Sequence, residues 1–273
     1  MRITTAAKID AFRTLHASGC FVMANPWDVG SARVLAQMGF AALATTSAGF
    51  AWTAGRPDNG VDLEMMLAHL RQLAGAVDVP VNADFEGGFA VEPDGVAANV
   101  TRAVATGVAG LSIEDSTGDA VAPLFERALA VDRIRAARAA IDASGSGVLL
   151  TARSEGFIAG QPDLAETTAR LVAFAAAGAD CVYAPGIRTA DEIATIVARV
   201  APTPVNLLVH APFITVGDAA ALGVRRISIG GALARVAWAG MLEAAREIAT
   251  QGTFEGLQQG AASADLNRRF GGA

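Results

Sequence analysis

The sequence contains little charge, few aromatic residues and no long apolar run. Only 18% of its 273 residues are charged, 6% are aromatic, and the net charge at pH 7 is −6. Lysine and arginine are scattered, so no basic stripe is available for a phosphodiester backbone, and we expect no nucleic-acid partner. No segment approaches the about 20 unbroken apolar residues of a membrane span, and no apolar signal region follows Met1. We therefore expect no membrane partner and a cytoplasmic location.

Cysteine is also scarce. Cys20 and Cys181 lie in apolar runs far apart in the sequence, which indicates buried thiols in a reducing compartment and not a disulfide framework. Hydrophobic residues, in contrast, make up 52% of the chain, with an excess of alanine and glycine. This composition favours helices packed tightly around a parallel sheet.

Short apolar runs alternate with longer stretches of helical periodicity along the chain. The runs lack a clean alternation of polar and apolar residues, as is typical of parallel strands buried on both faces. We predict strands at residues 20–24, 41–45, 79–83, 110–114, 147–152, 180–184, 204–209 and 226–229. We predict helices at residues 31–38, 63–76, 97–106, 128–143, 164–177, 191–200, 216–222 and 232–249.

Eight such β-α units predict a single (β/α)8 TIM-barrel domain of the α/β class over residues 1–273. A doubly wound sheet is the alternative. Residues 46–59 have no clear pattern and are predicted to be a glycine-rich loop. Residues 253–273 are predicted to be a short helical tail ending in a loose "RRFGGA".

In a barrel, functional residues belong at the carboxyl ends of the strands and in the loops that follow. Acidic side chains cluster there after the second, third and fourth predicted strands. Their mutual repulsion is tolerable with a counter-cation, and an all-oxygen set favours a hard ion such as Mg²⁺. Arg153, after the fifth strand, is placed to hold a substrate carboxylate by a two-point hydrogen bond. The acidic residues are Asp58, Asp84, Glu86, Glu114 and Asp115.

Several of these residues also have structural interpretations. Asp28 can cap the first barrel helix, Asp58 can form a turn in "RPDNG", and Asp115 can cap a loop or helix. Asp84 and Glu114 fit a structural role less well, because each ends an apolar strand where an unpaired charge is expensive.

The remaining candidates are histidines and a glycine pair. His16 and His69 lie within helices and are expected at the surface, whereas His210 follows the seventh strand, where binding and plain solvation are both open. Gly230-Gly231 either binds an anion through free N–H groups or permits close packing.

At these residues the chain resembles the isocitrate lyase/phosphoenolpyruvate mutase superfamily. The resemblance covers almost the whole predicted barrel. Its motifs are "NPWDVGSARVLAQMGF", "TTSAGFAWTAGRPD", "PVNADFEGGF", "GVAGLSIEDS", "LLTARSEGF" and "GADCVYAPG".

The resemblance implies a role for each matching residue. Ser47, with the backbone of Ala48 and Gly49, would bind the carboxylate and oxo group of a pyruvyl-like fragment. Arg153 would contact the substrate, and the catalytic set would be Arg153, Ser47 and Glu114. Loop position adds Trp27, Asp28 and His210 to the substrate-binding candidates.

The resemblance also implies a metal and an assembly. Asp84 would lie nearest Mg²⁺, with Mn²⁺ as the alternative ion, while Asp58 and Glu114 would reach it through water. Such proteins exchange the last barrel helix between neighbours, so a homodimer or homotetramer is expected.

Two departures from the family pattern matter. Asn82 stands where the first acid of an Asp-Ala-Asp motif is expected, and Glu86 is the candidate to restore that negative charge. We therefore interpret "NADFE" as a variant metal motif, with Asn82 and Glu86 as further candidate metal ligands. The loop "DSTGDAVAPLFER" lacks the Lys-Lys/Arg-Cys-Gly-His signature whose cysteine donates a proton in isocitrate and methylisocitrate lyases. Tyr183, Glu86 and His210 are the alternative proton carriers.

The leading hypothesis is a Mg²⁺-dependent carbon–carbon lyase or decarboxylase acting on a small 2-oxo or 2-hydroxy di- or tricarboxylic acid through a pyruvate-like enolate. A phosphonate enzyme of the phosphoenolpyruvate mutase or phosphonopyruvate hydrolase type is the alternative. A non-catalytic barrel that binds 2-oxo acids is the alternative from another class. The loop of residues 116–126 is expected to gate the site.

Overall fold

Eight parallel strands close into a barrel in the computed structural model, which describes residues 3–271. The first strand pairs with both the second and the eighth: Met23 lies opposite Ala42 on one side and opposite Ser228 on the other. This closure confirms the predicted TIM barrel and excludes a doubly wound sheet. The strands are β1 (Phe21–Ala24), β2 (Ala42–Ala44), β3 (Val81–Asp84), β4 (Gly110–Glu114), β5 (Leu149–Arg153), β6 (Cys181–Tyr183), β7 (Val205–Leu208) and β8 (Arg226–Ser228).

Helices surround the barrel, and all eight predicted ones are present: the helix at residues 63–76 has the predicted ends, and the others differ from the prediction at one or both ends. Asp28 caps α2 with a capping box: its carboxylate accepts from the N–H of Ser31 at 2.6 Å, which confirms its structural interpretation. The helices are α1 (Thr5–Ala17), α2 (Val29–Gln37), α3 (Ser47–Thr53), α4 (Leu63–Ala76), α5 (Pro93–Val104), α6 (Arg127–Ser144), α7 (Leu164–Ala176), α8 (Ala190–Val200), α9 (Val216–Ala221), α10 (Ala232–Gln251) and α11 (Ser263–Phe270).

The prediction of a plain loop over residues 46–59 was wrong in its first half. Thr46 caps a short helix there, α3, by accepting from the N–H of Gly49 at 3.2 Å. The tail also contains more structure than predicted, with a 3-10 helix at Glu255–Gln259 before α11. Arg268, Arg269 and Phe270 of the "loose" ending belong to α11, and the final Gly272 and Ala273 lie outside the described residues.

Helix α1 covers the amino-terminal end of the barrel. The guanidinium group of Arg13 donates to the carbonyl of Gly147 at 2.7 Å, just before β5, and the Phe12 ring lies against Gly110 at the start of β4. His16, on the same helix, is buried and contacts Arg226 at the start of β8. The barrel is therefore closed at the amino-terminal ends of its strands and open at their carboxyl ends.

The prediction that His16 and His69 lie at the surface was wrong. His69 is buried, and its ring stacks on Phe50 with a centroid distance of 3.8 Å. Both histidines occupy the inner face of an amphipathic helix, where the neutral imidazole packs as an aromatic ring.

Helix α10 is mostly exposed, including many of its apolar side chains. Of its residues only Ala234 is buried, while Val236, Trp238, Met241 and Leu242 are exposed. Over residues 3–271, none of the helices has the length and apolar character needed to cross a membrane.

Candidate active site

Arg153 lies at the centre of the carboxyl end of the barrel, held by acids from three neighbouring strand ends. Its NH1 group contacts Asp84 Oδ1 at 2.8 Å, its NH2 group contacts Glu114 Oε2 at 3.3 Å, and its Nε donates to Glu155 Oε1 at 2.9 Å. The Cζ atom of Arg153 lies over the Tyr183 ring, 4.9 Å from the ring centroid. The structure thus brings together Asp84, Glu114 and Arg153 as predicted from strand order, and adds Glu155.

The charges in this cluster depend on one another. Burial raises the pKa of Glu114 well above its usual value, against the opposing charge of Arg153. For Arg153, burial alone would lower the pKa, but Glu155, Glu114 and Asp84 outweigh it and raise the pKa further. Arg153 is therefore a permanent cation already occupied by carboxylates.

Asp84 is shared between Arg153 and the start of α3. Its Oδ2 accepts from the backbone N–H of Ser47 at 3.0 Å and from the Ser47 hydroxyl at 2.9 Å. Its own N–H donates to Thr45 Oγ1 at 2.8 Å, which ties the end of β3 to the end of β2. Ser47 and Asp84 are consequently fixed as a pair.

Glu86 and Asn82 each present an acceptor oxygen with no partner. Glu86 Oε1 and Asn82 Oδ1 are buried and receive no hydrogen bond. Glu86 sits in the left-handed region, with φ 47°, in the turn before Gly87. Burial, with the charges of Asp84 and Asp58, raises the pKa of Glu86 to about 8.

Asp58 serves the turn and the site together. Its Oδ1 accepts from the N–H of Asn59 at 3.0 Å, and Asn59 has φ 60°, which confirms the predicted turn. Although Asp58 is exposed, it lines the same cavity as Asp84. The cavity walls and the charge of Asp84 raise the pKa of Asp58.

A cavity of about 210 Å³ runs from this cluster into the barrel. It is smaller than the roughly 300–1,000 Å³ clefts that hold drug-sized ligands, which suits an acid of few carbons. Several lining residues were not predicted, although a polar residue inside an apolar strand is itself a signal because it is costly to bury. Those lining residues are Asn25, Thr45, Ser112, Asn206, Arg226 and Ser228.

Four predicted substrate-binding residues do not line this cavity. Asp28 is engaged in its helix cap, and Trp27 donates its backbone N–H to Ser31 in the same turn. The N–H of Gly49 is taken by Thr46. His210 contacts an arginine, Arg188, at 2.9 Å and borders an outer groove with Trp52 and Trp238.

Gly230 and Gly231 both line the cavity, and the contacts of Gly230 engage its N–H while those of Gly231 show close packing. Gly230 donates its N–H to Asn25 Oδ1 at 3.0 Å, and a Cβ at Gly231 would lie 3.3 Å from the Trp52 ring. Close packing therefore explains the pair. Asp115 is also structural: it is buried, accepts from the N–H of Glu155 at 2.8 Å and pairs with Arg170 at 3.2 Å.

The residues at the cavity mouth can be tested for their fit to a hard divalent ion. Within residues 3–271, no three His, Cys, Asp or Glu side chains are arranged as a ready metal cluster. A Mg²⁺ ion, however, typically takes one or two carboxylates with several waters. Asp84 supplies such a carboxylate, and Glu86 and Asn82 each have an unpartnered oxygen. Of these two, Glu86 lies in the turn that follows Asp84, whereas Asn82 lies within β3 opposite Gly110. The donor set fits an ion held by one direct carboxylate, Asp84, if Arg153 releases that side chain.

Comparison with known proteins decides the family. The family model described as phosphoenolpyruvate phosphomutase matches residues 12–249. The chain belongs to this family, within the PEP mutase/isocitrate lyase superfamily. An uncharacterised Mycobacterium tuberculosis (strain ATCC 25618 / H37Rv) protein is 34% identical over 222 residues, covering 81% of each chain. An oxaloacetate decarboxylase of Rhodopseudomonas palustris (strain BisB5) is 30% identical, over 79% of this chain and 74% of its own.

Solved structures of the superfamily share the fold. A Burkholderia cenocepacia J2315 protein described as a "putative lyase/mutase" is 46% identical, with a TM-score of 0.94 over 97% of this chain and 96% of its own. An oxaloacetate acetylhydrolase bound to its product oxalate is 28% identical, with a TM-score of 0.85 over 97% and 94% of the two chains. A 2,3-dimethylmalate lyase is also 28% identical, with a TM-score of 0.85 over 98% and 95%.

Proposed function

We propose that the protein is a Mg²⁺-dependent carbon–carbon lyase or decarboxylase acting on a small 2-oxo or 2-hydroxy di- or tricarboxylic acid. The observation that carries the proposal is the cluster of Asp84, Glu114 and Arg153 at the mouth of the small polar cavity. Relatives that act on oxaloacetate or 2,3-dimethylmalate support the substrate class.

The metal would be held by Asp84, with Asp58, Glu114, Glu86 and Asn82 as the further oxygen donors and Mn²⁺ as the alternative ion. When bound, such an ion supplies electrostatic stabilisation of negative charge that develops on the oxo group. Arg153 would then exchange its contact with Asp84 for the carboxylate of the substrate. Its fixed position on Tyr183 and Glu155 makes it suited to orient that carboxylate.

Ser47 would orient the oxo end of the acid, together with the backbone of Ala48 and Gly49. In a decarboxylation, the electrons of the broken carbon–carbon bond remain on the enolate as carbon dioxide leaves, and a proton then completes pyruvate or its homologue. In a lyase reaction, a base removes the hydroxyl proton, and the alkoxide becomes a carbonyl as the neighbouring carbon–carbon bond breaks. The electrons of that bond remain on the enolate of the second product, which a proton then completes. Both reactions use the same three groups, Ser47, Glu114 and Arg153.

An exchange of α10 between subunits is part of the proposal. The exposed apolar side chains of this helix, with Trp52 across an outer groove, form a surface suited to a second copy of the chain. A homodimer or homotetramer is accordingly proposed.

The proposal is tested by product release. Full-length protein with MgCl₂ or MnCl₂ is offered a panel of oxaloacetate, 2-methylmalate, 2,3-dimethylmalate and citrate, and pyruvate, oxaloacetate, oxalate and carbon dioxide are followed. We expect turnover of at least one acid, and a loss of about 100- to 1,000-fold in Asp84→Asn, the size typical for removal of one transition-state electrostatic contact.

The matched control is Asp94→Asn, an exposed acid in the first turn of α5 that should keep full activity. Turnover of phosphonopyruvate instead of these acids would favour the phosphonate alternative. A rise in melting temperature with oxalate, without turnover of any panel member, would favour the non-catalytic alternative.

A further inference from the structure

Arg226 is a cation inside the barrel. It is the first residue of β8, it is 2% exposed, and it lines the cavity that opens at Asp84 and Arg153. Its Nε donates to Asn206 Oδ1 at 2.8 Å, and its NH1 group lies 3.3 Å from His16 Nε2. Because β8 begins at the closed end of the barrel, Arg226 forms part of the cavity floor.

No carboxylate compensates this charge. Among residues 3–271, Arg226 forms no ion pair, whereas Arg153 is paired with three acids. Its neighbours are neutral groups: burial lowers the pKa of His16 to about 3, and burial also raises the pKa of Tyr183 to about 12. A buried guanidinium without a counter-ion is expensive, and such groups are normally paired.

The rest of the floor is arranged around this cation. Asn206 is 0% exposed, and its Nδ2 donates to Ser228 Oγ at 2.9 Å, which fixes its amide so that Oδ1 faces Arg226. A fixed cation without a counter-ion awaits an occupant that supplies negative charge.

Arg226 on the cavity floor is a more available cation for a ligand carboxylate than Arg153 at the cavity mouth. Arg153, at the mouth, is paired with three acids, so it can take one carboxylate of a ligand only by releasing Asp84. Arg226 is the second arginine lining the cavity, and its charge is free of that competition.

We infer that Arg226, positioned by Asn206, forms a carboxylate subsite on the cavity floor that holds the far carboxylate of a dicarboxylic acid. The near end of the acid then lies at Ser47, Asp84 and Arg153, so the subsite selects acids with two carboxylates over acids with one. This inference rests on the proposed function for the class of ligand, but it concerns binding and not turnover.

The test compares two acids that differ only in the second carboxylate, L-malate and L-lactate. Their dissociation constants are measured by calorimetry on the full-length protein, with and without MgCl₂. Wild-type protein should bind L-malate more tightly, and Arg226→Met should weaken L-malate about 10- to 100-fold, as expected for loss of a charged hydrogen bond, while L-lactate changes little. Arg225→Met is the matched control, because Arg225 is the neighbouring arginine in the sequence but lies outside this cavity and donates to the carbonyl of Gly19.

A second variant separates the subsite from a structural role. Asn206→Asp places a carboxylate on Arg226, so it should raise the melting temperature and abolish the preference for L-malate. The inference is overturned if wild-type protein does not distinguish the two acids, or if the preference survives Asn206→Asp. A preference for L-malate that depends on Arg226 stands even if no acid of the product-release panel is turned over.

Discussion

At the scale of single residues, two histidines make the fold sensitive to acid. Burial, together with Arg226 for His16, lowers the pKa of His16 to about 3, and burial lowers the pKa of His69 to about 4. In the unfolded chain both titrate near the ordinary value of about 6.5. The unfolded state therefore takes up protons first, and stability is lost as the pH falls from about 6.5 towards 4.

Replacing His69 should reduce this loss. His69→Leu removes the titrating group and leaves an apolar side chain against Phe50, so the free energy of unfolding should fall less between pH 6.5 and 4, by on the order of 2 kcal/mol. Urea unfolding at several pH values measures how the free energy of unfolding changes with pH. An unchanged slope in the variant would show that His69 takes up no proton over this range.

At the scale of elements, α1 packs directly against the backbone of β4, because Gly110 has no side chain at the point of contact. A Cβ at Gly110 would lie 2.7 Å from Phe12 Cε1 and 2.7 Å from Asn82 Oδ1, so glycine is required for α1 to close the barrel floor. Phe12 is fully buried, and its ring also packs edge-on against His16.

Gly110→Ala should therefore destabilise the protein by about 1–3 kcal/mol through overpacking. Thermal unfolding followed by circular dichroism provides the measurement. Gly75→Ala is the control: Gly75 lies in α4 with no atom within 4 Å of an added Cβ, and its replacement should be neutral or stabilising by up to about 1 kcal/mol. Equal effects in the two variants would contradict the close approach at Gly110.

The elements could be predicted from sequence where the hydrophobic pattern is continuous. All eight strands follow from short apolar runs, and Asp84, Glu114 and Arg153 follow from the ends of those runs. Helix α3 was missed because seven residues with glycine in the first turn carry too little periodicity. Arg226 was not predicted as a cavity residue, because "RRIS" contains two adjacent arginines. Only the pairing of β8 in the barrel shows which of the two side chains faces inward.

At the scale of the whole molecule, the bare face of α10 stands out against a barrel otherwise wrapped by packed helices. Trp238 is 38% exposed and Leu242 is 50% exposed, beside a groove formed with Trp52. The proposed assembly rests on this exposed apolar face.

Introducing a charge on this face should break the proposed assembly. Trp238→Glu should shift the molar mass in light scattering from a multiple of 27.8 kDa towards a single chain, because a buried unpaired carboxylate opposes association. Val121→Glu is the control, since Val121 is 93% exposed in the loop after β4 and should leave the mass unchanged. A wild-type protein of single-chain mass would contradict the exchange of α10.

The acids around Arg153 have a consequence for how fast a ligand arrives. The chain carries a formal net charge of −6 at pH 7, so an approaching dianion meets a repulsive field at the opening. That field strengthens as the pH rises past the pKa of Glu86, which burial and the charges of Asp84 and Asp58 raise to about 8. Dissolved salt shortens the reach of that field to about 8 Å at physiological ionic strength. Association of an acid with the metal-free protein should therefore accelerate as salt is added, the reverse of the behaviour of enzymes whose entrances attract their substrates.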